Sequence, residues 1–196
     1  MDLIIYLLGI PAIMVAATIH EFTRAAVSTS LGDKLPKQEG RLTLNPINHF
    51  EPIGLILMMA CGFGWGKPVN TSALYYKNRK RDTLITAIAP TVANLVFAAL
   101  FLFISGILPA GNILGVFLMK ISYFCCCFVI YNLIPVSPMD CVKVLSAVLP
   151  ANSYFKFLQY EKAIQMGFLL ILFLGLGGFI NGIVSALYYG LGAIFF

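Results

Sequence analysis

Three ionisable side chains stand together at His20-Glu21-Phe22-Thr23-Arg24, directly after an apolar run, and a fourth, Asp140, closes an irregular stretch that begins at Asn132 after another apolar run. On a helix, positions 20 and 24 stack on one face and position 21 lies about 100° round from 20, so an imidazole, a carboxylate and a guanidinium enter one neighbourhood. An imidazole and a carboxylate are candidate metal ligands, and a second carboxylate is a candidate general base. Taken alone, the residues 20–24 read equally as a helix end at an interface, with Arg24 reaching outward and Glu21 paired to it. Asp140 shifts the balance, because it brings a second carboxylate towards this cluster and charged groups inside a membrane span cost about 2.5 to 3.5 kcal/mol each and need a reason to be there.

That cost applies because the composition is that of a membrane protein. Of 196 residues, 60% are hydrophobic and 11% charged, and the mean hydropathy is +0.90. Soluble domains carry roughly 25% charged residues, so a water-soluble enzyme, a disulfide-rich secreted chain and a disordered chain are all excluded. Apolar runs at residues 3–19, 83–108, 112–134 and 163–196 predict an all-α polytopic protein with about four transmembrane helices, forming one membrane-embedded domain over 1–196. No basic residue precedes the first run, which therefore reads as a retained span and not a cleaved leader. Cys125, Cys126 and Cys127 are consecutive inside a span and read as small buried side chains.

Basic residues set the orientation. Lys34, Lys37, Arg41, Lys67, Lys77, Arg79, Lys80 and Arg81 fall between two spans, and the positive-inside rule makes that stretch cytoplasmic. Lys143, Lys156 and Lys162 place the region 135–162 on the same side. Pro135 and Pro138 prevent a regular helix before Asp140, which brings the irregular segment to the end of the membrane that carries His20 and Glu21. The cluster Lys77, Arg79, Lys80 and Arg81 reads as an anchor on anionic lipid, and no nucleic-acid partner is expected.

Other elements follow from spacing. Residues 53–62 are too short to cross and predict a re-entrant or protein-buried piece. Arg41, Leu42, Thr43, Leu44 and Asn45 alternate polar and apolar side chains, the period of a short strand. The run 163–196 predicts one long, tilted or interrupted helix. Its Gly178, Gly182, Ala186 and Gly190 form a stripe of small residues, read as packing within the chain ahead of a homo-oligomer interface. Trp65 reads as an interfacial anchor.

Together, His20-Glu21, Leu31-Gly32-Asp33, the run from Gly40 to Pro46, Glu51 to Gly54, Gly64 to Val69, Ala89-Pro90 with Asn94, and Asn132 through Asp140 resemble the site-2 protease family of intramembrane zinc metalloproteases. The resemblance covers about three quarters of the chain. It implies that His20 and Asp140 are zinc ligands, that Glu21 activates a water, that Asn132 positions substrate or an oxyanion, and that Leu42, Thr43, Leu44 and Asn45 hold an unwound substrate helix by edge pairing. The family's first motif is HExxH, and here the second histidine is Arg24. Cys141 and Ala89 replace glycines usual in the family.

A guanidinium has no lone pair to give, so Arg24 removes a ligand. One physical alternative is that its charge replaces that of the metal by bridging Glu21 and Asp140. His49 and Cys141 are the candidates for a replacement ligand, against plainer readings as a surface or capping histidine and a packed thiol. The functional expectation is a site-2 protease-like fold acting on transmembrane helices, weak or inactive in this chain. The alternatives are a pseudoprotease that binds single-span proteins and, behind it, a small transporter component. The expected partners are a client's transmembrane segment and the bilayer, in a prokaryotic inner membrane with the basic loops and the site cytoplasmic.

Overall fold

The computed structural model describes residues 2–195. Four stretches are long and apolar enough to cross a membrane: Leu3–Ser30, Arg79–Ile107, Ile113–Tyr131 and Gly177–Phe195. In chain order the helices are α1 (Asp2–Leu7), α2 (Gly9–Ser30), α3 (Leu35–Gln38), α4 (Pro52–Cys61), α5 (Arg79–Ile107), α6 (Ile113–Tyr131), α7 (Asp140–Val148), α8 (Ala151–Gln159), α9 (Glu161–Ile171) and α10 (Gly177–Phe195). The protein is therefore an all-α polytopic membrane protein, as the hydropathy predicts.

Two of the long helices, α5 and α6, begin where an asparagine side chain closes the first turn. Asn78 accepts from the Arg81 amide while its own amide donates to Asp82 at 3.0 Å, a reciprocal cap for α5. Asn112 caps α6 in one direction, its side-chain oxygen accepting from the Leu114 amide at 2.8 Å. Within the first span, Thr18 and Thr23 donate to carbonyls one turn back, so these two hydroxyls are satisfied by the helix itself.

The core lies where α2, α5 and α6 meet. Ala12, Ala16 and Ala17 of α2, Ala98 of α5 and Cys125, Cys126 and Cys127 of α6 are buried together. Small side chains let the backbones approach, and a bond from Ser122 to the Ala98 carbonyl at 2.8 Å crosses the α5–α6 seam. At the end of α2 the chain turns through Gly32, whose φ of 107° suits glycine. Asp33 then accepts from Ser28, from the Leu35 amide and from the Ser72 amide, fastening the loop before α5 to the end of α2.

Three expectations need correction. Residues 41–45 are irregular, and no strand occurs among the described residues. Alternation makes a strand only when a neighbour pairs with it, and here the polar groups are spent locally: Thr43 takes the Asn45 amide, Asn45 takes the Ile47 amide, and the Thr43 carbonyl accepts from His49. The stripe on α10 does not pack within the chain, because Gly178, Gly182, Ala186 and Gly190 are all exposed and a methyl added at any of the three glycines would touch nothing. Trp65 packs inward against the core, edge-on to Phe63.

Two other expectations match. The run 53–62 is the ten-residue α4, far too short to span. The last run is interrupted: α9 and α10 are separated by a π-helical segment, Leu172–Leu176, whose Gly175 has a φ of 125°.

The candidate site at the junction of α2 and α7

His20, Glu21 and Arg24 sit in the second half of α2, each no more than 4% exposed. Asp140 opens α7 and is 2% exposed. What aims Asp140 is Asn132, at the end of α6. Its side-chain oxygen accepts from the Asp140 amide at 3.0 Å, its main-chain carbonyl accepts from the Cys141 amide at 3.0 Å, and its side-chain nitrogen donates to the Phe128 carbonyl. Asn132 thus serves as a positioning residue for α7, with both ends of its amide already engaged.

The four ionisable groups form one network. Arg24 Nε donates to Glu21 Oε2 at 3.1 Å, Arg24 Nη1 donates to Asp140 Oδ1, and Arg24 Nη2 stands 2.9 Å from His20 Nε2. His20 Nε2 also lies 2.9 Å from Asp140 Oδ2. A neutral imidazole nitrogen either donates to Asp140 or accepts from Arg24, so the ring serves one partner at a time. Burial by itself would raise the Asp140 carboxyl, but the Arg24 guanidinium and His20 beside it hold it well below the usual carboxylate range.

Glu21 has a further partner that no side chain announces. Its Oε2 accepts from the main-chain amide of Val69 at 2.8 Å. The strand-like connection through Gly66, Lys67 and Val69 is pinned on the other side too, by Lys67 donating to the His49 carbonyl at 2.9 Å and by Arg41 donating to the Lys67 carbonyl at 2.5 Å. Arg41, read from sequence as a basic loop residue and the first residue of a short strand, is 6% exposed and supports the loop that caps Glu21. Two glycines allow this loop to lie on α4: a methyl at Gly54 would collide with the Trp65 carbonyl, and one at Gly64 with the Gly54 carbonyl.

The replacement ligands weighed from sequence are elsewhere engaged. His49 is fully buried, not a surface group, and donates from Nε2 to the Thr43 carbonyl at 2.7 Å. Burial lowers its pKa, partly offset by that bond. Cys141 is half-buried, and burial together with Asp140 raises its thiol. Among the described residues no three histidine, cysteine, aspartate or glutamate side chains assemble as a metal-binding group. A catalytic zinc site needs three donors with lone pairs and an open position. Here the central place belongs to a guanidinium that touches all three would-be donors, so the residues present do not fit zinc.

Of the residues expected to hold substrate, Leu42 and Leu44 are exposed, at 40% and 67%, while Thr43 and Asn45 make the local bonds described above. None of the four contacts the buried network directly in a hydrogen bond; the connection runs through Arg41 and Lys67. On the opposite flank, a cavity of about 240 Å³ reaches Asn132, Asp140 and Cys141 from Ala87, Ile88 and Thr91 of α5. It shares Ile88 with an apolar groove of about 510 Å³ on the outer face of α5, lined by Leu84, Ile85 and Val92.

Comparison with known proteins agrees with this picture at the level of kinship. The chain is 29% identical over 177 residues to the protein named "Putative zinc metalloprotease YwhC" from Bacillus subtilis (strain 168), covering 86% of this chain and 81% of that one. It is 28% identical over 145 residues to "Putative zinc metalloprotease Rip2" from Mycolicibacterium smegmatis, covering 69% of this chain and spanning 55% of that relative's length. No family model matches, and no solved structure does. The two names support a likeness to zinc metalloproteases, and the four apolar helices suit a membrane-embedded one.

Proposed function

We propose that this chain is a site-2 protease-like membrane protein that holds a transmembrane segment of another membrane protein without hydrolysing it. The observation that carries the reading is the Arg24 guanidinium, bonded at once to Glu21 and Asp140 and in contact with His20. It supplies a fixed positive charge where the family's chemistry calls for a dication, and it does so without an open position for water. Glu21, which would take a proton from a metal-held water, instead accepts hydrogen bonds from Arg24 and Val69.

The client would approach from the lipid. The groove along α5 offers apolar contact to a helix, and its junction with the cavity at Asp140 gives a polar end to that path. The exposed Leu42 and Leu44 are the second expected contact. In the membrane the basic loops and the network face the cytoplasm on this reading, and the outward stripe on α10 is where a second copy would pack.

The test is zinc per chain, by elemental analysis of detergent-purified protein, with Arg24→His in parallel and binding of a labelled transmembrane peptide measured for both. The expected result is no stoichiometric zinc in the unaltered chain, near one zinc after Arg24→His, and peptide binding retained throughout. One zinc in the unaltered chain, or absence of peptide binding, overturns the proposal.

A further inference from the structure

Beyond the network, the described residues include an enclosed cation without a hydrogen-bond partner, Lys143. Lys143, one turn after Asp140 on α7, has a half-buried side chain whose ammonium nitrogen is enclosed and makes no hydrogen bond among the described residues. It lines a cavity of about 160 Å³ between α7, the start of α5 and the loop before it, together with the hydroxyl-bearing Thr71, Tyr76, Thr83, Thr86 and Ser146.

The chemistry of that lining is one-sided. An ammonium carries three donors, and five hydroxyls stand around it, but no carboxylate borders the space. Thr86 and Tyr76 are tied into a chain with Ser28 and the Asp82 carbonyl, and Ser146 donates to the Lys143 carbonyl, so the walls are fixed. Among the described residues Thr71 and Thr83 make no such hydroxyl bond, and both are only half-buried. The charges that act on Lys143 lie towards the network: Arg24 opposes its protonation while Asp140 and Glu21 favour it, and burial, the largest influence, pushes it down to about 8. Outside the cavity, Arg79, Lys80 and Arg81 are exposed beside Thr83 and draw anions to this end of the bundle.

We propose that this cavity is a binding site for a phosphate-type oxyanion, held by the Lys143 ammonium and the surrounding hydroxyls. Such a group brings several strong acceptors to the three ammonium donors and to the Thr71 and Thr83 hydroxyls, while Thr86 and Ser146 already donate to carbonyls. A free phosphate and the headgroup of an anionic lipid share this chemistry, and the cavity lies at the start of α5 beside the basic cluster. The site stands independently of whether the network at Arg24 supports hydrolysis.

The experiment uses the full chain in dodecyl maltoside. Equilibrium dialysis with radiolabelled orthophosphate is run on the unaltered chain, Lys143→Met and Lys143→Arg, and native mass spectrometry follows retention of added phosphatidylglycerol by the same three proteins. The expected result is about one orthophosphate per chain, at least tenfold weaker in Lys143→Met and kept in Lys143→Arg. Phosphatidylglycerol retained in a Lys143-dependent way without orthophosphate binding assigns the oxyanion to a lipid headgroup and equally supports the site. Should Lys143→Met fail to fold, orthophosphate or phosphatidylglycerol must slow acylation of Lys143 in the unaltered chain at least threefold. Binding of neither probe, binding that Lys143→Met leaves unchanged, or unprotected Lys143 overturns the proposal.

Discussion

The main-chain amide of Val69 donates to the carboxylate of Glu21 across 48 residues of sequence, at 2.8 Å and away from water. An acceptor in that position is needed whether or not it carries charge. Glu21→Gln keeps an oxygen for Val69 and loses only the charged half of the contact to Arg24. Glu21→Ala leaves both the amide and the guanidinium short of a partner. The alanine variant should be less stable than the glutamine variant by about 1–3 kcal/mol, read from unfolding in mixed micelles.

Arg24 is the common partner of two buried carboxylates, so its removal is the costly change in the network. Arg24→Met should destabilise by about 3–5 kcal/mol, because Glu21 and Asp140 are left buried without compensation. Adding Asp140→Leu to Arg24→Met should recover part of the loss. A double-mutant cycle showing strictly additive penalties would mean that the Arg24–Asp140 contact contributes nothing.

Lys143 gives the pH dependence its sign. Its ammonium titrates at about 8 in the folded chain and at the ordinary lysine value of about 10.5 when unfolded. Between those values the unfolded state binds more protons, so stability rises with pH across the window from about 8 to 10.5. In phosphate-free buffer, melting curves of the unaltered chain should show that rise and Lys143→Met should not.

The backbone contact between α4 and the Trp65 loop is the fourth test. Gly54→Ala and Gly64→Ala each force a methyl into a carbonyl and should cost about 1–3 kcal/mol or more. Gly167→Ala, where a methyl meets nothing within 4 Å, should be neutral or slightly stabilising by melting temperature.

The spans were legible because hydropathy over about twenty residues is a property of composition, and lipid permits few alternatives to a helix. His20, Glu21, Arg24 and Asp140 were legible because ionisable groups beside apolar runs are rare, and the bridging of both carboxylates by Arg24 followed from its position four residues after His20. Val69 was not, because its contribution is an amide that every residue but proline owns. Asn132 was read as positioning substrate or an oxyanion, and its bonds to the α7 backbone were not legible, because only the turn at Pro135 and Pro138 brings that backbone within reach. The alternation at residues 41–45 misled because pairing depends on a neighbour that sequence spacing does not supply. Small residues on α10 mark a face where helices can approach, but they do not say from which side.

The separation of Arg24 from Asp140 has a consequence for biogenesis. The two lie 116 residues apart, and at roughly 5–20 residues per second the ribosome delivers Asp140 some seconds after the first span has entered the membrane. Throughout that interval the nascent first span carries a guanidinium whose only local counter-ion is Glu21, three positions before it. The first span is therefore committed to the bilayer on half of its electrostatic support, and its final position waits for the chain to emerge beyond the third.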